Sequence, residues 1–252
     1  LCPSPPAAEP RTTPRAANAT GRDGVTRAVQ DENIKSFVGR VTWQANSKNK
    51  LSGTYQRNFK YVGHEYFTGF AVPGTVPRFP EAAQYREPWL YYIATAKWTS
   101  TVSNKLLLES GIGTDILHYT NSYQPAVKKQ RGTPEWYTTA SRLDTALGFR
   151  TVAGFPEQIQ FPDQYTWSSS LSYVTGSHNF KTGVQWGWGN GNAGGDANGD
   201  LVQNYSNGTP TSVTVYLTPF TIKPKLDADL GIYAQDQWTL KKLTISAGVR
   251  YE

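Results

Sequence analysis

DLGIYAQDQWTLKKLTISAGVRYE, residues Asp229 to Glu252, sorts apolar and polar side chains onto opposite sides of two successive runs. In the first run Leu230, Ile232, Ala234, Trp238 and Leu240 share one face, interrupted only by Asp236. Asp229, Gly231, Tyr233, Gln235 and Gln237 take the other. After Lys241-Lys242, the apolar face continues through Leu243, Ile245, Ala247, Val249 and Tyr251, opposite Thr244, Ser246, Gly248, Arg250 and Glu252. Period two is the spacing of a strand with unlike faces, and so short a break makes the pair a hairpin.

The pattern extends upstream. Tyr165, Trp167, Leu171 and Tyr173 alternate with Thr166, Ser168, Ser170 and Ser172, and the face resumes after a turn at 175–178 with Phe180, Val184, Trp186 and Trp188. Phe37, Val41, Trp43 and Ala45 precede a turn at 47–49, and Leu51, Tyr55, Phe59 and Tyr61 follow it. Tyr92, Ala94, Ala96 and Trp98 lead to a turn near Ser103-Asn104, with Leu106, Leu108 and Ile112 beyond. Eight strands are well marked. A weaker hairpin, Leu201–Tyr205 with Ser212–Leu217 across Asn207-Gly208, would raise the count to ten.

Alternation alone also suits a soluble sandwich. Run length argues otherwise: these runs last about ten to fourteen residues, where globular strands average five or six and membrane strands about 9–11. Connections alternate between tight turns and long loops, expected over 63–87, 121–162 and 189–200, as periplasmic turns and extracellular loops do. Trp43, Tyr55, Trp98, Tyr173, Phe180 and Trp238 lie on the apolar face near the tight turns, as a headgroup-level girdle would, with Tyr61, Tyr165 and Trp188 candidates for the opposite rim. The expected fold is all-β: an antiparallel transmembrane β-barrel fragment of about 8–10 meandering strands with short periplasmic turns and long extracellular loops. On this assignment Ile245 faces lipid and Thr244 the lumen, so lysine at 245 would cost about 2–4 kcal/mol if that position lies mid-bilayer.

Composition agrees. Aromatics reach 13% while hydrophobic residues total only 38%, too little aliphatic content for an ordinary soluble core. The best apolar stretch, Trp89 to Ala96, falls short of the roughly 18 residues a membrane helix needs. The +6 charge comes from scattered groups such as Lys48, Lys50, Lys128, Lys129, Arg131, Lys241 and Lys242, which gives a solvated rim and no nucleic-acid stripe. One cysteine, Cys2, rules out an internal disulfide framework. Residues 1–32 read as a disordered or linker segment rich in Pro, Ala, Arg and Thr. Residues 33–252 read as a partial outer-membrane barrel without a plug. The absence of methionine and the opening Leu1-Cys2-Pro3, which lacks a leader pattern, read as a fragment.

The hairpin at Asp229–Glu252 resembles one found in TonB-dependent receptors, especially the Oar-like branch. The resemblance rests on Gly231, Tyr233, Gln235, Asp236 and Trp238 in one strand and on Leu243, Gly248, Arg250 and Tyr251 in the next. Gly176 to Gln185 is similar to a second hairpin of that family through its His178, Lys181 and Gly183. The resemblance implies a receptor of about 22 strands, plugged by an N-terminal domain. It also implies outer-membrane lipid around the barrel, and substrate uptake driven by the TonB energy-coupling complex acting on the plug. Two other readings stay open: an unplugged porin-like or adhesive barrel, and a soluble secreted glycan-binding β-protein.

Chemistry is sparse. Asp196, Asn198 and Asp200 have the first three oxygen positions of an EF-hand, but Leu201 and Asn207 stand where Gly and Glu belong, leaving a weak calcium candidate. His64, His118 and His178 match no zinc spacing, and no nucleophile elbow is present, so neither catalysis nor a cofactor is expected. His64, Glu65, Tyr66 and Phe67, with Trp136 and Tyr137, combine ring faces and polar tips, a composition suited to binding a peptide, glycan or chelate from the loops. Lys181, Gln185, Gln235 and Arg250 face the lumen, where they would bond one another or the plug.

Overall fold

The computed structural model describes residues 30–66, 76–77 and 79–252. In chain order the strands are β1 (Glu32–Gln44), β2 (Asn49–Glu65), β3 (Val76–Pro77), β4 (Gln84–Ser103), β5 (Leu106–Tyr123), β6 (Ser141–Asp144), β7 (Phe149–Thr151), β8 (Glu157–Thr175), β9 (His178–Asp196), β10 (Leu201–Ser206), β11 (Thr209–Val215), β12 (Phe220–Ile222), β13 (Lys225–Leu240) and β14 (Leu243–Tyr251). A short helix, α1 (Pro134–Thr138), lies between β5 and β6.

Eight of these strands form one antiparallel meander in the order β1-β2-β4-β5-β8-β9-β13-β14, with β12 added beside the upper end of β9. They are the eight strands marked by period-two alternation. Their register aligns the faces across the whole sheet. Val41, Gly53, Ala96, Ile112, Trp167, Trp186 and Leu230 form one row of successive partners. The row beside it, Thr42, Ser52, Lys97, Gly111, Ser168, Gln185 and Gly231, is polar or glycine throughout. A slip of one residue in any strand would invert that strand's face, so the alternation itself fixes the register.

The tight connections fall where expected, and Gly176 (φ 53°) supplies the left-handed residue that one of them needs. The long connections are shorter than expected, because strands project well beyond the membrane band. β2 runs to Glu65, β4 begins at Gln84, β5 reaches Tyr123 and β8 begins at Glu157. β9 extends to Asp196 and absorbs Gly189–Gly195, expected as loop. The reason is close approach of chains. A side chain on Gly189 would collide with the Asp163 carbonyl, and one on Gly195 with the Phe220 ring. These glycines serve packing within a strand.

The weaker hairpin exists but is no part of the barrel wall. β10 and β11 turn at Asn207-Gly208, both with positive φ (48° and 78°), and join a separate five-stranded sheet ordered β11-β10-β6-β7-β3. That sheet unites the connections that follow β2, β5 and β9 into a cap. Of the segment read as a linker, residues 1–29 lie outside the described residues, and Glu32 already begins β1.

Candidate membrane interface and lumenal site

On the apolar face, Phe37, Val41, Leu51, Phe59, Ile112, Trp167, Leu171, Trp186, Leu230, Ile232 and Ile245 are all exposed. A contiguous band this size needs an apolar medium over it. Its rim at the tight turns is aromatic. Trp98 donates its indole N–H to Asn49 Oδ1 (3.0 Å), and Trp238 donates its own to Ser177 Oγ (3.2 Å). Each ring thus lies on the band with its polar tip toward a turn, the orientation of an interfacial tryptophan. Trp43 faces Leu51 across the β1–β2 pair, and Tyr173 pairs with Leu106 and Phe180 near the next two turns. Tyr55 sits farther along β2 and stacks on Tyr92 (5.7 Å between centroids). Toward the other rim Tyr165 stacks on Trp188 at 5.6 Å.

Asp236, the acid that interrupts this face in β13, pairs with His178 Nδ1 at 2.7 Å, and the imidazole stacks between Phe180 and Trp238. A polar pair shielded by two rings at the headgroup level resolves the apparent break in the pattern. His118 and Asp163 (2.7 Å) repeat the device toward the opposite rim, beside Trp89 and Phe161.

The opposite face is a polar wall. Lys97 and Glu109 form an ion pair at 2.6 Å, Ser36 donates to Asn58, and Lys181, Gln185, Gln235 and Arg250 surround Tyr233. Above them, where strands leave the membrane band, a cleft of about 390 Å³ lies between β2, β4, β5, β8, β9 and β12. Glu65, Gln84, Arg86, Tyr119, Asn121, Gln158 and Gln160 supply its polar lining; Phe155, Phe220 and Ile222 supply an apolar side. The Arg86 guanidinium lies 4.0 Å from the centre of the Tyr119 ring, and the Tyr119 hydroxyl donates to Gln160 (2.6 Å). Arg86, Tyr119 and the two glutamines escape a reading of the sequence that ends the strands at the membrane. Continued alternation through 113–123 and 157–164 is the signal that would have found Tyr119, Gln158 and Gln160, whereas Arg86 lies past a register shift in β4 and carries no such signal.

The expected loop residues disperse. Glu65 faces this cleft. His64 points away to Asp31 (2.7 Å). Tyr66 is buried, and burial, with Asp31 and Glu81 adding to it, pushes its phenol up to about 12. Phe67 lies outside the described residues. Trp136 is buried beneath the Arg131 guanidinium, packing α1 into the cap, whereas Tyr137 is exposed. At the calcium candidate, Arg131 binds both acids: Nη1 to Asp196 at 2.8 Å, Nη2 to Asp200 at 2.6 Å. Asn198 turns to the Val127 carbonyl and Thr139 instead. An internal guanidinium therefore occupies the place expected for a cation, and among the described residues no cluster of three or more His, Cys, Asp or Glu could hold a metal.

The cap has a buried knot of its own. Asp144 accepts from the backbone N–H groups of Ala146, Leu147, Asn207 and Gly208, tying the β6–β7 turn to the β10–β11 turn. Burial pushes the Asp144 carboxyl up, but these four donors outweigh it and hold the group below its ordinary value.

One apolar face rimmed by aromatics, backed by a polar face, is the wall of a transmembrane β-barrel. Residues 6–252 match the family described as Outer membrane beta barrel domain, and the chain belongs to that family. It is an outer-membrane protein, which sets aside the soluble secreted reading. Among solved structures it is similar in fold to the outer membrane transporter YddB from Escherichia coli, with 14% identity and a TM-score of 0.60. That likeness covers 93% of this chain and 29% of the transporter chain, so the chain spans under a third of its length. No curated protein matches.

Proposed function

We propose that this chain is the barrel segment of a TonB-dependent outer-membrane receptor, which imports a substrate through energy-coupled displacement of a plug. The observation that carries the reading is the sheet's own incompleteness. β1 and β14 are not paired with each other, so the eight strands do not close a cylinder. Open edges are untenable in hydrocarbon, so the wall continues into a larger barrel. A cylinder on the scale of the outer membrane transporter YddB, whose chain this one matches over 29% of its length, needs a plug to remain a permeability barrier. The likeness to a segment of an outer membrane transporter supports the same reading, as do the family-like hairpins at Gly176–Gln185 and Asp229–Glu252. No catalytic role is assigned to any residue. Lys181, Gln185, Gln235 and Arg250 would contact the plug.

The rival is an unplugged porin-like or adhesive barrel. Planar-bilayer conductance of the full-length protein in potassium chloride separates the two. A plugged receptor is electrically silent until urea dislodges its plug, whereas steady ohmic current without urea would overturn the importer reading.

A further inference from the structure

The cleft above the membrane band is built more completely than a structural crevice requires. Two of its side chains end in oxygens with no hydrogen-bond partner among the described residues: Glu65 Oε2, on a side chain only 10% exposed, and Asn121 Oδ1, on a residue 7% exposed. Leaving a buried acceptor unsatisfied costs about 1–3 kcal/mol, more when it is charged, so a pair lining one cavity marks a place for donors from outside. Gln84 is already engaged with the Phe155 and Pro156 carbonyls, and Tyr119 with Gln160. The Glu65 carboxylate lies 3.9 Å from Arg86, so the cleft is close to neutral and offers a cationic donor beside an anionic acceptor. Phe155, Phe220 and Ile222 form the dry side.

From this pattern we infer that the cleft binds a neutral, hydroxyl-rich ligand, an oligosaccharide, whose hydroxyls donate to Glu65 and Asn121 and accept from Arg86. A hydroxyl both donates and accepts, which suits donors and acceptors interleaved at short range. A sugar ring also presents a C–H face to Phe155 and Phe220. A peptide fits less well, because the neighbouring amides Gln84 and Gln160 are already tied to protein partners. The volume, about 390 Å³, is that of a site for a small ligand and admits only a short stretch of glycan. This inference names the substrate class of the importer proposed above and rests on that reading for its transport role, though not for binding.

The test is a glycan array of neutral oligosaccharides probed with full-length protein in detergent micelles, followed by calorimetry on the tightest binder. Binding is expected to weaken ten- to a hundredfold in Glu65→Gln and in Asn121→Ala, and at least fivefold in Phe220→Ala. Val213→Ala, on exposed β11 of the cap and outside the cleft lining, should leave it unchanged. Heat-modifiable mobility on gels verifies that each variant holds its barrel. If no neutral glycan binds, if trialanine competes with the bound sugar, or if the cleft variants bind as the parent does, the inference is overturned. Conductance keeps the two ideas apart. A silent barrel that binds no sugar sinks only the ligand class; a sugar-binding barrel with steady current sinks only the importer.

Discussion

Replacing Ile232 by lysine tests the membrane assignment most directly. Ile232 pairs with Val184 and Tyr251 on the apolar face and is 51% exposed. Trp238, six residues along β13, marks the rim. At about 3.4 Å per residue that is roughly 20 Å along the strand, or about 15 Å along the membrane normal at a tilt near 40°. The apolar band is about 25 Å tall, so Ile232 lies close to its middle and lysine there should cost about 2–4 kcal/mol. Ile245 differs. It is the direct partner of Trp238 in the rim, two residues from the turn, so its lysine variant should cost only about 0–1 kcal/mol. The sequence-based figure for Ile245 depended on mid-bilayer depth, and the register places this residue elsewhere. Thr244→Lys, facing the lumen, serves as the second control. The assay is reversible urea unfolding of the full-length protein in lipid vesicles, followed by tryptophan fluorescence. Equal losses at 232 and 245, or a larger loss at 244, would refute the depth and face assignments together.

Three further outcomes follow from the strand packing and the cap. Gly189→Ala forces β9 away from the Asp163 carbonyl and should cost about 1–3 kcal/mol by urea unfolding, while Gly191→Ala, with only Pro224 at 3.4 Å, should be nearly silent. Calcium titrated into the wild-type protein should give no saturable heat, since Arg131 already neutralises Asp196 and Asp200; a one-to-one isotherm would contradict that arrangement. The depressed Asp144 carboxyl stabilises the cap fully above its unfolded value, and that contribution is lost as pH falls through the lower folded value. Protection factors of the Asn207 and Gly208 amides, taken relative to intrinsic exchange at each pH, should therefore fall on acidification, and in Asp144→Ala they should be low at neutral pH as well.

The wall was legible because lipid and lumen impose opposite chemistry on alternate residues, and eight strands carried that signal without help from distant partners. Asp236 looked like a defect because its partner, His178, sits in a different hairpin and only register brings them together. The glycine-rich run Gly189–Gly195 reads as loop by composition, since a local reading does not show that the Asp163 backbone and the Phe220 ring claim the space of side chains. For the same reason Arg131 was counted as one more rim charge while its two acids suggested a metal. The cleft combines six strands and the connection that carries Phe155, and the residues that line it, from Glu65 to Ile222, are joined by nothing in the linear pattern.

Asp144 and the parallel pairing of β10 with β6 join connections that belong to different hairpins of the wall. The pairing needs the connections that follow β5 and β9 side by side, so the cap closes only when β8 and β9 stand between them in the wall. In the mature molecule the same knot makes the two connections one mechanical body: a force that lifts either is felt by the other.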